Sequence, residues 1–238
     1  METLGIIGSG NIGSAIARLA VRAGIQVVLS NSRGPASLAD LTTELGSLAT
    51  PGTVDQAAAR SDLVVLAVPL TASMAISPQS LQGKPVLDTS NYYPFRDGRI
   101  ARLDSEEVTT SELVQQHFRG TPLVKAFNNI LAHHIPQLAR PAGASERSAL
   151  PIASDVVDAK HAAAALIDQL GFDVVDAGAL ADTWRFEPEA AAYTRIYLAD
   201  PETPPEQMLQ APAAPLSADG LQAALHRAVR VRVADREF

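Results

Sequence analysis

Gly8, Gly10 and Gly13 stand between a short apolar run, Leu4, Ile6 and Ile7, and a stretch where Ile16, Leu19, Ala20 and Ala23 recur at helical spacing. A strand running into Gly8-Ser9-Gly10-Asn11-Ile12-Gly13 and out into a helix is the pattern of a phosphate-holding turn. The first glycine lets the chain turn tightly, and the second lets backbone approach a pyrophosphate. The third lets the helix pack against the strand, with the phosphates at that helix's N-terminus. The chemistry expected of this segment is anion binding by backbone N–H groups.

About one βα unit further on, the second expected strand, Gln26 to Leu29, ends in Ser30-Asn31-Ser32-Arg33. A chain that holds the ribose 2′-hydroxyl of NAD commonly has a carboxylate at this place. Here every side chain is neutral or positive. A carboxylate would repel a 2′-phosphate, whereas a hydroxyl and a guanidinium bind one through charge-assisted hydrogen bonds. The pair of motifs therefore favours NADP(H) over NAD.

Elements must hold these turns in place, and the chain alternates them in the order of a parallel sheet with crossover helices. Further strands are expected at Leu48 to Thr50, Leu63 to Val68, Val86 to Asp88, Leu123 to Phe127, Ala149 to Ala153 and Phe172 to Val175, with a helix from about Val157 to Leu170. The reading is an α/β Rossmann fold, a doubly wound parallel sheet with a small helical C-terminal appendage. Residues 1–178 would form the NADP-binding part. Residues 179–238 would form a mainly helical segment, split or kinked at Pro188, with a proline-rich linker over Pro201 to Pro215 and a last amphipathic helix from Ser217 to about Val231. That segment has few apolar residues of its own, so it is expected to pack on the dinucleotide-binding part or on a second copy in a homodimer.

Composition narrows the partners. The formal net charge is −7 from 19 basic and 26 acidic residues, which argues against nucleic acid and anionic membrane surfaces. There is no cysteine, so disulfides, thiolate metal sites and thiol catalysis are excluded. No signal peptide or membrane-spanning segment is apparent, and a cytoplasmic protein is expected. His133 and His134 are adjacent on an expected helix and point about 100° apart, so they should not face one ligand, and no metal site is expected. Arg96, Arg99 and Arg102 read as a solvated face, with a grip on an anionic acceptor as the alternative. Trp184 reads as a core anchor.

In an open parallel sheet the ligand lies beyond the carboxyl ends of the strands. That rule selects Val68-Pro69-Leu70, Thr89-Ser90-Asn91-Tyr92-Tyr93-Pro94 and Asn128-Asn129-Ile130. None of these offers a Lys, His or Glu as an obvious proton donor. Ketone reduction requires a proton on the developing alkoxide. Hydride exchange with a flavin-like ring makes less demand, since the ring delocalises charge and solvent can supply the proton. Asn91, Tyr92 and Asn128 are the candidate catalytic residues, with Tyr92 or Tyr93 as proton donor if the substrate is an imine or carbonyl.

The fingerprint, the Asn31-Ser32-Arg33 turn, Gly83-Lys84-Pro85-Val86-Leu87-Asp88-Thr89-Ser90-Asn91, Val124-Lys125-Ala126-Phe127-Asn128-Asn129-Ile130 and Gly171-Phe172-Asp173-Val174-Val175-Asp176-Ala177-Gly178 occur in one order. In this the chain resembles the NADPH-dependent coenzyme F-420 reductases, and it is also similar to the cytoplasmic domain of STEAP-type metalloreductases. The resemblance runs over roughly residues 3 to 198. It implies that Gly8, Ser9, Gly10, Asn11, Ile12 and Gly13 lie on the pyrophosphate turn and that Asn31, Ser32 and Arg33 meet the 2′-phosphate. It further implies that Val68, Pro69 and Asn91 line the nicotinamide end, with Ala126 beneath it. Deazaflavin-using members tend to have His where this chain has Asn128, and metalloreductase-like members carry Asn there. The implied function is hydride transfer between NADP(H) and a small-molecule acceptor, a flavin or deazaflavin. The alternatives are an imine or carbonyl reductase and a non-catalytic NADP(H) sensor.

Overall fold

β1 (Thr3–Ile7), β2 (Gln26–Ser30), β3 (Ala49–Pro51), β4 (Leu63–Leu66), β5 (Val86–Asp88) and β6 (Leu123–Lys125) form one parallel sheet in a computed structural model that describes residues 1–236. Their order is β3-β2-β1-β4-β5-β6. Ile6 of β1 lies opposite Leu29 of β2 and Val65 of β4, which sets the register at the centre of the sheet. Side chains of a strand alternate between its faces. Leu4, Ile6, Val27, Leu29, Val65, Leu87 and Val124 enter one core, while Ile7, Val28, Val64, Leu66, Val86 and Leu123 enter the other. Burial on both faces is why these strands read as nearly continuous apolar runs rather than as alternation.

α1 (Asn11–Arg22) buries Ala15, Ile16, Leu19 and Ala20 against the first of these cores. The small alanines let the helix sit close to the sheet, so its N-terminus stands directly over the carboxyl end of β1. β4 and β6 end two residues earlier than the apolar runs predict. Past β4 only the Ala67 N–H still pairs, with the Ile7 carbonyl at 2.8 Å, before Pro69 turns the chain. Past β6 Phe127 adopts a left-handed backbone, φ 58°, which no strand tolerates.

β7 (Ala149–Ile152) and β8 (Asp173–Asp176) form a separate parallel pair rather than extending the main sheet. A single antiparallel bridge, Lys125 to Ala153, joins them to β6. Pro151 has no N–H to donate, which weakens β7 as a member of a longer ladder. The expected helix between these strands is present as Val157–Gln169.

The segment after Gly178 departs from the expected helix. It forms two 3-10 stretches, Leu180–Phe186 and Thr194–Tyr197, with Pro188 and the left-handed Glu189 (φ 71°) between them. Thr183 Oγ1 donates to the Leu180 carbonyl at 2.9 Å, a local bond that suits the tighter turn. The proline-rich stretch carries a further 3-10 turn, Pro205–Gln210. The last helix, Ala218–Arg227, is capped by Ser217 Oγ, which accepts from the Gly220 N–H at 3.2 Å. Leu221, Ala224 and Leu225 of this helix pack with Phe186 on Ala149 and Ala153. Among the described residues no helix is long and apolar enough to cross a membrane.

Candidate functional site

Strand order reverses between β1 and β4, and a crevice opens over their carboxyl ends. Its two halves share Gly10, Ala67, Val68 and Pro69. One half, about 340 Å³, is bounded by Gly8, Ser9, Asn31, Ser32 and Arg33. The other, about 310 Å³, is bounded by Asn11, Ile12, Asn91, Tyr93, Asn128 and Tyr193. The two expected motifs and the two candidate asparagines thus border one continuous cleft.

The three glycines of the turn play different parts. A Cβ on Gly8 would lie 2.1 Å from the Ala67 carbonyl oxygen, and the residue has φ +110°. A Cβ on Gly13 would lie 1.9 Å from the Gly8 carbonyl oxygen. Both are required by the protein's own packing. Gly10 has nothing within 4 Å of the Cβ position and φ −75°, so the protein itself asks for no glycine there. The open space lies at the N-cap of α1, where no side chain caps the helix. Such a cradle, which a side chain would fill, suits a pyrophosphate on backbone N–H groups.

Asn31 ties the two motifs together. Its Nδ2 donates to Ser9 Oγ at 3.0 Å, and its Oδ1 accepts the Arg33 N–H at 3.0 Å. Ser32 and Arg33 are exposed at the rim. The Arg33 guanidinium has no hydrogen bond or ion pair among the described residues and is available to an anion.

At the far end Asn91 and Asn128 hold each other. Asn91 Nδ2 donates to the Asn128 carbonyl at 2.7 Å, and Asn128 Nδ2 donates to Asn91 Oδ1 at 3.1 Å. A buried ion pair fixes the base of this wall. Lys125 and Asp88, both without exposed side-chain surface, lie 2.9 Å apart. The Lys125 ammonium also donates to the Ser90 carbonyl, and Ser111 Oγ donates to Asp88 Oδ2 at 3.1 Å. Both residues sit in motifs that sequence reading singled out, yet only the adjacency of β5 and β6 shows them as partners.

The tyrosines require a correction. Tyr92 is fully buried and points away from the crevice. Its hydroxyl lies 2.9 Å from Asp104 Oδ1 and accepts the Ile100 N–H at 2.9 Å. Adjacent residues of an extended segment face opposite ways, so Tyr92 enters the core and Tyr93 enters the crevice. The Tyr93 hydroxyl bonds the hydroxyl of Tyr193, and Asn91 Nδ2 lies 3.2 Å from the latter. Burial raises the Tyr193 hydroxyl well above the usual tyrosine range, and the Tyr93 hydroxyl beside it adds to the effect. Nothing local in the sequence relates Tyr193 to a loop a hundred positions earlier.

Other expectations also change. Ala126 is fully buried and does not line the crevice; Phe127 does. Trp184 is half-buried and lies away from the crevice, with the Arg185 guanidinium 4.8 Å from its ring. The three arginines are not one face, since Gly98 separates two short helices. Arg96 lines the crevice, donates to the Asn91 carbonyl at 2.7 Å and pairs with Asp97, while Arg99 reaches the carbonyls of Ala234 and Arg236, and Arg102 pairs with Glu107. His133 and His134 do meet one partner. Each directs Nε2 at the Ala211 carbonyl, at 3.0 and 2.9 Å. His133 is the N-cap of the helix His134–Leu138, and the two imidazole rings stand edge to face with centroids 4.1 Å apart.

A family model described as NADP oxidoreductase, coenzyme F420-dependent, matches residues 3–92. Among solved structures, a hypothetical protein, SMa0349, from Sinorhizobium meliloti is 34% identical over 77% of this chain and 88% of that one, with a TM-score of 0.67. A proposed F420-dependent NADP reductase from Arthrobacter sp. FB24 is 23% identical over 76% of this chain and 86% of that one, with a TM-score of 0.62. An imine reductase from Myxococcus stipitatus in complex with NADP+ is 20% identical over 76% and 56%, with a TM-score of 0.52. The last two likenesses show the fold. No curated protein matches the chain. The chain is an NADP-dependent oxidoreductase, and its residues 3–92 match the family model of the coenzyme F420-dependent NADP oxidoreductases.

Proposed function

We propose that the chain exchanges hydride between NADP(H) and a flavin-like or deazaflavin acceptor. The observation that carries this reading is the character of the far half of the crevice. Among the described residues no carboxylate, imidazole or ammonium lines it, and the one guanidinium there, Arg96, is already engaged by Asn91 and Asp97. Such a wall orients rings and excludes water, and it suits an acceptor that spreads charge over its own π-system.

When bound, NADPH supplies the hydride. The open cradle over Gly10 and the N-terminus of α1 would hold the pyrophosphate, with Ser9, Asn11 and Ile12 along the turn. Ser32 and Arg33 would meet the 2′-phosphate, at the end of the crevice opposite Asn91. Val68 and Pro69, shared by both halves, would lie against the middle of the dinucleotide. Tyr193 and Thr194 border both the far half and a further cavity of about 500 Å³ lined by Ala190, Pro205 and Met208, with Glu189 and Arg195 as its charged members. This mostly apolar space suits the body of the acceptor.

A second reading, reduction of an imine or carbonyl, is favoured by one observation, the paired hydroxyls of Tyr93 and Tyr193 at the crevice wall. Loss of NADPH absorbance on adding riboflavin, coenzyme F-420 or a panel of cyclic imines and ketones separates the readings. Tyr93→Phe and Tyr193→Phe with near-normal rates support the flavin-like acceptor. A loss of about a hundredfold or more supports proton donation by the pair. No turnover with any acceptor supports a sensor.

A further inference from the structure

Two residues that line the far half of the crevice each hold a buried polar atom without a partner among the described residues, Ser90 Oγ and Asn128 Oδ1. Their residues are 3% and 4% exposed. Buried polar groups are almost always hydrogen-bonded, so two orphans in one crevice wall call for an explanation. The orientation of the Asn128 amide is set by its surroundings. Nδ2 donates both its hydrogens, to Asn91 Oδ1 at 3.1 Å and to the Phe186 carbonyl at 2.9 Å. The atom left over is therefore oxygen, an acceptor that needs an N–H or O–H. A serine hydroxyl can donate as well as accept. Ser90 and Asn128 follow β5 and β6, the pair locked beneath by Lys125 and Asp88.

We propose that Ser90 and Asn128 form a receptor for a planar amide, Asn128 Oδ1 accepting its N–H and Ser90 Oγ donating to its carbonyl. This rests on the reading of the crevice as the NADP(H) site. Two groups carry that chemistry there. One is the carboxamide of the nicotinamide, and the other is the pyrimidine ring of a flavin or deazaflavin. Held at both ends, the ring it belongs to presents one face to the reacting partner.

Calorimetric titration of the full chain with NADP+, with its 3-acetylpyridine analogue and with riboflavin tests the proposal. The analogue keeps the carbonyl and replaces the amide NH2 by a methyl group. If the nicotinamide is the group held, the wild type prefers NADP+ over the analogue by about tenfold. Asn128→Leu shrinks that preference to about twofold or less, and Ser90→Ala weakens both dinucleotides by a common factor of about three- to tenfold. If both variants spare the dinucleotides and weaken riboflavin about tenfold, the receptor stands and serves the acceptor. Ser90→Ala removes no protein contact of the hydroxyl, so it should melt no lower than wild type. If it leaves all three ligands unaffected, the proposal is overturned, however Asn128→Leu behaves. NADP+ binding by the wild type that Arg33→Ala weakens would, in that event, keep the crevice reading intact. A wild type that binds no NADP+ overturns both.

Discussion

At the scale of single residues, the three glycines of one motif divide by what surrounds them, and their variants should divide the same way. Gly13→Ala drives a methyl group into the Gly8 carbonyl, which lies 1.9 Å from the Cβ position. It should lower unfolding free energy by about 1–3 kcal/mol, measured by urea denaturation. In Gly10→Val the Cβ meets nothing in the protein within 4 Å, so the variant should stay folded, losing only about 1 kcal/mol at the N-cap of α1, while NADP+ binding in calorimetry is lost. Arg33→Ala removes a guanidinium with no other task among the described residues. It should weaken NADPH by about tenfold or more and NADH little, since a hydrogen bond to a charged group contributes about 1.5–3 kcal/mol. Equal losses for both cofactors would remove Arg33 from the 2′-phosphate. Tyr92→Phe should act on stability, through the lost bonds to Asp104 and Ile100, and leave turnover near normal.

At the scale of elements, the carboxyl ends of β5 and β6 are joined by the Lys125–Asp88 pair. Lys125→Met leaves Asp88 buried and uncompensated and should cost about 3–5 kcal/mol in chemical denaturation. A Lys125→Met, Asp88→Leu double variant should recover part of that loss, because neither charge then remains. The helix His134–Leu138 meets the C-terminal segment through Ala211. Burial lowers the His134 imidazole below the ordinary histidine range, opposed by the Ala211 carbonyl. The unfolded chain therefore binds a proton at this position more readily than the folded one. The resulting stability is present above about pH 6.5 and is lost as pH falls through the folded value. Thermal melts at pH 7.5 and 5.5 should differ less in His134→Gln than in wild type.

At the scale of the whole molecule, the chain closes on itself behind the crevice. Arg236, 3% exposed, donates to the Tyr92 carbonyl at 3.3 Å and to the Pro188 carbonyl at 3.0 Å, and Arg99 donates to the Arg236 carbonyl at 3.0 Å. One side chain thus joins the Asn91–Tyr93 loop to the segment that carries Tyr193. Arg236→Ala should loosen that join, with lower turnover, a higher acceptor KM and NADP+ affinity close to wild type. Unchanged kinetics would show that the loop is held by the Asn91–Asn128 bonds alone.

The sequence alone determined what is local. A glycine turn, an apolar run buried on both faces, a proline stop and a charge at the end of β2 each act within a few residues. The parallel sheet, the cofactor class and both motifs were therefore legible. Tertiary structure decided what depends on residues far apart in the chain. It turned Tyr92 inward and Tyr93 outward, brought Tyr193 to Asn91 and left Ala126 in the core. It separated β7 and β8 from the main sheet and wound the 179–198 segment as 3-10 turns. It also paired Lys125 with Asp88 and left Ser90 Oγ and Asn128 Oδ1 without partners among the described residues. A side chain's type states which bonds it can make. Only the packing of elements distant in sequence determines which of those bonds are made and which are left for a ligand.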